Sequence, residues 1–468
     1  MRPPAVVLAL AAVTAVALGA CSDPGSPVVP TTGLVASRNS SCKPAPPDAE
    51  NTLPIAPASQ RVDLVAPTFS NPTSVTNPLF PISRLNQVIL VGLSDGEPFR
   101  TETTLLPGTQ EIDLGYGKVE TLTSQYIAYR GRRIDEVALD WYGQADDGSV
   151  WYFGEDVFNY EDGEVDNLDG TWLACQDGPV AMIMPARPRV GNVYRPENLY
   201  PDVFEEVTVS AVGVTVDGPL GPVGGAIAVK ELHLDGKFED KVFAPGYGEF
   251  STGSGQNVEA LALAVPIDAL PGPMPSELRT LLAGSRAVFR AARSGDWAAA
   301  SRTVGAMKAA WERYQAGPVP RLLEPLTAES LDELTEAVAS REPAESRQAA
   351  VDVLRNGLDL SLQHRSRVEV DFARLDLWAR QLVIDAEARD GPGVRSDVAI
   401  IKWILDRLAN TGDKRDKGDA QRARQIRQAL QADVERGDFA AVLNDARRLQ
   451  EALRRRLDGE DKERDDRD

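Results

Sequence analysis

Hydrophobic and polar positions divide the chain into two vocabularies, with the change at Ala269-Leu-Pro-Gly-Pro-Met-Pro275. Before that break, short apolar runs and two-residue alternations are punctuated by Gly, Pro and Asp-Gly, the pattern of short antiparallel strands. Val88–Val91, Thr101–Leu106, Val119–Tyr129, Arg133–Tyr142, Trp172–Cys175, Ala181–Met184, Val207–Val216, Ile227–Leu234, Lys241–Phe243 and Asn257–Val265 all read as strands. The aromatic runs Trp141-Tyr142 and Val150-Trp-Tyr-Phe153 flank Ala145-Asp-Asp-Gly-Ser149 and predict a hairpin at the heart of the sheet. Trp141, Trp151 and Phe153 are candidate core residues of that hairpin. Strands at this spacing predict a barrel, half-barrel or sandwich over residues 60–268.

After the break, Ala, Leu, Arg and Glu dominate and the apolar period becomes helical. Helices are predicted from Ser276 to Arg293 and from Trp297 to Gln315, the second with Trp297, Val304 and Trp311 on one face. A third starts at Thr327 or Glu329 and ends at Ser340, and Pro343 starts a fourth to Gln363. A break is expected over His364–Val370, with Asp371 capping a helix from Phe372 to Arg389. Gly391-Pro-Gly393 reads as a breaker before helices Ser396–Ala409, Ala420–Arg436 and Phe439–Leu457, with Thr411–Asp419 as a charged loop. Arg293-Ser-Gly-Asp-Trp-Ala-Ala299 is echoed by Arg436-Gly-Asp-Phe-Ala-Ala441, a helix end followed by an Asp cap. The expected class is therefore α+β and multidomain: an antiparallel all-β domain, then an all-α helical bundle over residues 276–457. Residues 458–468 read as a disordered acidic tail.

The first twenty residues follow neither pattern. Arg2 precedes an apolar run, Ala5–Ala17, too short for a comfortable membrane span, and the run ends in Leu18-Gly-Ala-Cys21. This resembles the lipobox of bacterial lipoproteins, whose peptidase cuts before the cysteine. The resemblance implies a signal peptide over residues 1–20 and lipidation of Cys21, with acyl chains as the membrane anchor. Residues 21–59 are rich in Pro, Ser and Thr and read as a disordered tether.

Charge and cysteine count narrow the partners. A formal charge of −20 over 468 residues argues against nucleic acid and against binding anionic lipid by charge. With Cys21 assigned to the anchor, Cys42 and Cys175 remain, and in an exported, oxidised chain they read as a disulfide or as two free thiols.

Four stretches of the β half carry a second resemblance. Asp140-Trp-Tyr-Gly-Gln, Asp147-Gly-Ser-Val-Trp-Tyr-Phe-Gly-Glu-Asp156, Met184-Pro-Ala-Arg-Pro-Arg-Val-Gly191 and Ala244-Pro-Gly-Tyr-Gly248 resemble the landmarks of a family of exported bacterial proteins. Such proteins open with an Asn-Pro-aromatic-Pro segment, which Asn77–Pro81 approximates. The resemblance implies compartment and fold and carries over no catalytic residue. More weakly, Asp371–Ala386 resembles exported bacterial helical proteins of unknown role.

Chemistry is sparse. The two histidines, His233 and His364, fall in different halves, and neither sits with a Gly-x-Ser-x-Gly elbow. Gly213–Gly225 lacks the Lys-Ser/Thr of a phosphate loop. Asp146, Asp147, Glu155, Asp156, Glu161, Asp162, Glu164, Asp166 and Asp169 are dense enough for calcium, but the spacing is not that of an EF-hand, and a solvated acidic loop is expected. Asp352, Asp359, Asp371, Asp376 and Asp385 with His364 are a weaker metal candidate between helices. The expectation is a non-enzymatic, membrane-anchored, surface-exposed lipoprotein with no catalytic residue, metal or cofactor assigned, acting as a binding or envelope-structural module. Buried, converging carboxylates would favour instead an extracytoplasmic metal-ion or small-ligand binding protein. A buried Ser or Asp bonded to His233 would favour a hydrolase.

Overall fold

The computed structural model describes residues 42–43, 53–409 and 414–465. The expected signal peptide, Cys21 and most of the tether lie outside the described residues. Among those described, no helix is long and apolar enough to cross a membrane.

The strands are β1 (Gln87–Ser94), β2 (Glu97–Asp113), β3 (Lys118–Arg130), β4 (Arg133–Gln144), β5 (Val150–Glu161), β6 (Glu164–Asn167), β7 (Trp172–Leu173), β8 (Ala181–Met184), β9 (Val193–Leu199), β10 (Val203–Gly218), β11 (Gly221–His233), β12 (Phe238–Ala244), β13 (Gly248–Ser254) and β14 (Asn257–Val265). They form one 14-stranded antiparallel sheet in the order β6-β5-β4-β3-β2-β1-β14-β13-β12-β11-β10-β9, with β7 and β8 also paired to β5. Two meanders thus run outward from a central β1–β14 pair, in which Gln87 faces Val265. Gly92 is needed there, since a Cβ would meet the Val258 carbonyl oxygen at 2.0 Å. The sheet is not closed, but it bends until its ends share a core. Tyr152, Trp172 and Met182 pack in one cluster with Tyr194, Val207, Val229 and Phe243.

The hairpin β4–β5 lies toward one end of the sheet, not at its middle. Its importance is as a junction, because β5 pairs with β4, β6, β7 and β8. Gly154 permits this: its φ is +123°, and a Cβ would meet the Trp172 carbonyl oxygen at 2.2 Å. Trp151, Tyr152 and Phe153 are buried, Trp151 at 3% exposure with its indole donating to Ser149 Oγ at 2.8 Å. The separated landmark stretches meet at Asn77–Pro78. The Asn77 amide donates to the carbonyls of Gly148 (3.0 Å) and Pro185 (3.1 Å), and Gly246 N–H donates to that of Pro78. Cys42 and Cys175 form a disulfide, beside a backbone bond from Lys43 N–H to the Cys175 carbonyl.

Eight helices follow: α1 (Ser276–Ser294), α2 (Trp297–Tyr314), α3 (Leu323–Ser340), α4 (Pro343–Ser361), α5 (Arg367–Ala388), α6 (Gly391–Arg407), α7 (Lys414–Glu435) and α8 (Phe439–Asp465). The echo holds locally: Asp296 and Asp438 each accept from the N–H three residues on, after Gly295 and Gly437 in left-handed conformation. Val304 and Trp311 are buried and Trp297 partly so.

Several boundaries differ from expectation. α5 begins four residues before Asp371, because Ser366 and Glu369 form a capping box. Gly391-Pro-Gly393 is the first turn of α6, not a break, since Asp390 caps it and Pro392 sits where its missing N–H costs nothing. The expected charged loop is helical from Lys414. α8 passes Leu457 to Asp465 where a disordered tail was expected, since that stretch holds good helix formers and no proline. Strands β6, β9 and β13 had no predicted counterpart.

The helices cover one face of the sheet. Ile89, Ile127, Tyr129, Ile134, Val137 and Val265 belong to the same core cluster as Leu278, Leu358, Trp378 and Ile401. Tyr129 stacks on Trp378 at 5.8 Å and Phe158 meets Trp403 at 5.1 Å. Within β3, Gln125, Ile127 and Tyr129 face the helices, so Tyr126 and Ala128 face the other way by strand alternation. That opposite, inner face is where the two ends of the sheet approach each other.

Candidate functional site

The cross-strand pairing stacks three polar rows on the inner face. Glu197 on β9 faces Glu205 on β10, which faces His233 on β11. In the next row Tyr194 faces Val207, Val207 faces Glu231, and Glu231 faces Glu239 on β12. In the third, Val229 faces Lys241, Lys241 faces Thr252 on β13, and Thr252 faces Glu259 on β14. Paired residues share a face, so the rows put these side chains side by side. A bulge between Glu205 and Val207 brings Tyr194 and Glu197, three residues apart, to the same side. On the far end of the sheet a bulge between Asp140 and Tyr142 does the same for Tyr152 and Glu155. There Tyr152 donates to Asp140 at 2.7 Å.

Glu205, Glu231 and His233 each offer a ligand atom, all within 4.8 Å of one another. The imidazole Nδ1 lies 3.5 Å from Glu205, and Nε2 lies 3.4 Å from Glu239 and 3.7 Å from Glu231. Lys241 pairs with Glu231. Hydrogen bonds to Glu205 and Glu239 raise His233 to about 10. Burial opposes ionisation of Glu205, but Lys241 and His233 outweigh it and hold that carboxyl down to about 2. Glu231, 2% exposed, is pushed up to about 8 by burial and by the Glu205 charge. Burial would lower Lys241, yet Glu231, Glu249 and Glu205 together raise it well above its ordinary value.

Glu239 is held down by its hydrogen bond to His233, while most of the surrounding carboxyls shift up. Burial, then like charge, raises Glu197 well above its usual range and Glu259 to about 8. Burial and Glu155 raise Glu136 to about 7 and lift Asp140 well above its usual range. Glu155 and Glu197, from opposite ends of the sheet, are raised by burial and hydrogen-bonded to each other. Apart from Lys241 and His233, every charged side chain in these rows is acidic. The raised carboxyls resist ionising together without a counter-charge, so the chemistry available to the face is the uptake of positive charge.

The metal candidates named from sequence do not converge. Each aspartate of the helical set has its own arginine: Asp352 with Arg132, Asp359 with Arg100 and Arg374, Asp371 with Arg367, Asp376 with Arg286 and Arg380, Asp385 with Arg133. His364 has neither a hydrogen-bond partner nor a carboxylate of that set beside it, and burial lowers its pKa. Of the acidic loop residues, Asp146 accepts from Ser70 N–H (2.8 Å), Ser70 Oγ (3.0 Å) and Thr68 Oγ1 (2.9 Å), so it fastens the segment before β1 and is more than a turn residue. Asp147 accepts from Ser149 within its turn. Glu155 alone of that group reaches the inner face. Among the described residues, Glu205, Glu231 and His233 are the group of three or more such side chains with metal-ligand spacing. Glu197, Glu205, Glu231, Glu239 and Lys241 were not singled out from sequence. The signal present was His233 between Glu231 and Asp235 in a strand, with an acidic strand on either side.

Comparison with protein-family models, with curated proteins and with solved structures finds no match.

Proposed function

We propose that this chain is a lipid-anchored, extracytoplasmic binding module without catalysis, and that its ligand is a cation taken on the acidic inner face of the open sheet. The observation that carries this reading is the pair of adjacent rows placing Glu205, Glu231 and Glu239 around one imidazole, with Glu197 beside Glu205. Carboxylates gathered in a desolvated place are unfavourable unless positive charge joins them. The carboxylates beside His233 are glutamates, not the buried Ser or Asp that a hydrolase reading calls for. Leu18-Gly-Ala-Cys21 supports the anchor, and the landmark stretches around Asn77 support export.

Two measurements test it. Cys21→Ser should move the protein from the membrane to the soluble fraction, and a membrane-bound variant would reject the anchor. Purified protein stripped with chelator should gain thermal stability from at least one of Zn²⁺, Mn²⁺, Ca²⁺ or spermidine at millimolar concentration. No gain with any of them would reject cation binding.

A further inference from the structure

We infer that Glu205, Glu231 and His233 form a binding site for a divalent first-row transition cation of the zinc or manganese kind. The inference rests on the cation-binding reading and names its ligand class.

Geometry supplies the first argument. Three donors within 4.8 Å of one another need close by only an ångström or so to surround one ion, whose bonds to N and O are about 2.0–2.2 Å. Glu239, 3.4 Å from the imidazole Nε2, is placed to donate next. All four stand on neighbouring strands in register, so their backbones are fixed by the ladder and only side-chain torsions adjust.

Tyr194 supplies the second. It is fully buried, its hydroxyl makes no hydrogen bond, and it stands in the same cross-strand row as Glu231, feeling the charges of Glu231, Lys241 and Glu205. An unpartnered buried hydroxyl is costly, and here it faces the ligand cluster. A metal-bound water or a carboxylate drawn off Lys241 would give it a partner.

The donor set selects the class. Imidazole with two carboxylates suits zinc, manganese and iron; calcium prefers an all-oxygen shell of six to eight ligands. On binding, the ring nitrogen gives its lone pair to the metal and its proton leaves to solvent, while Lys241 releases Glu231. His233 retains partial exposure, which leaves a way in.

Isothermal titration of the chelator-stripped full chain with Zn²⁺, Mn²⁺, Ca²⁺ and spermidine tests this, with native mass spectrometry for stoichiometry. The expected result is one equivalent of Zn²⁺ or Mn²⁺, weakened at least tenfold by His233→Gln and several-fold by Tyr194→Phe, with both variants melting as cooperatively as the parent. Transition-metal binding unchanged by His233→Gln, or calcium bound more tightly than zinc and manganese, overturns the site. If spermidine binds and no metal does, the metal site falls and the cation-binding function stands. If nothing binds, both fall.

Discussion

Arg407, at the end of α6, donates to Glu102 on β2 at 2.9 Å, with Arg407 at 0% and Glu102 at 3% exposure. The pair belongs to a buried ionic network. Arg100 donates to Asp359 and Glu102, and Arg374 to Gln87, Glu102 and Asp359. Removing Arg407 takes two donors from the buried Glu102, which keeps Arg100 and Arg374, and leaves the network with an unbalanced buried negative charge. Arg407→Met should destabilise the protein by about 3–5 kcal/mol, and adding Glu102→Gln should recover part of that loss. Chemical denaturation of the single and double variants checks this, and equal stability of Arg407→Met and parent would mean that water reaches the site.

The same contact bears on modularity. The sequence places a boundary at residues 269–275, and proteolysis there would be expected to leave two folded pieces. In the structure Leu270 N–H donates to the Gln363 carbonyl, Gln363 donates to that of Asp268, and Met274 is buried in the core that sheet and helices share. A broad-specificity protease should therefore leave this segment uncut under native conditions, and residues 276–465 expressed alone should lack a cooperative melt. Early cleavage at 269–275 into two stable fragments would contradict the shared core.

Trp151→Ala should cost roughly 3–5 kcal/mol, as for a fully buried aromatic. Asp146→Ala should also lower the melting temperature, since three hydrogen bonds to Thr68 and Ser70 go with it. Thermal melts of both variants distinguish this from a hairpin whose turn matters little.

Glu136 provides a pH test away from the proposed ligands. Burial and Glu155 raise it to about 7 in the folded chain. The carboxyl is protonated in both states below the unfolded value, where it costs nothing. Between the unfolded value and about 7 the unfolded chain ionises while the folded carboxyl does not, so stability falls across that window and levels off above it. Glu136→Gln should melt like the parent near pH 4 and higher than it near pH 8, by on the order of 1 kcal/mol after screening. A difference that shrinks with rising pH would mean that Glu136 ionises in place.

Much of the architecture was readable because period and punctuation carry it. β3, β4, β11 and β14 follow their apolar patterns; α2 starts behind its Asp296 cap and α4 at Pro343, while α1 starts at Ser276 without a capping side chain. The failures have local causes. Pro196 and the glycines and serines of 248–254 hide β9 and β13, one an edge strand where proline is tolerated. Ser366 caps through a partner three residues on, and that signal was outweighed by the β-branched Val368 and Val370. The acidic rows were hidden for a different reason. Alternation tells which residues share a face, but an enclosed polar face and a solvated one look alike in sequence. Only the pairing of β10 with β9 and β11 reveals that Glu205 has Glu197 on one side and His233 on the other.

The central β1–β14 pair also has a consequence in time. Every other neighbour in the main strand order is joined to the next by a short connection, so each meander can zip from hairpin to hairpin as its own sequence becomes available. Uniting the meanders waits for β14, and with it the inner face, the two-ended core and the platform for the helices. Pulse-labelled hydrogen exchange during refolding should find the amides of β3 and β4 protected before those bridging β1 and β14. The acidic rows would then be the last part of the sheet to acquire an opposite wall, made only when the β half of the chain is complete through β14.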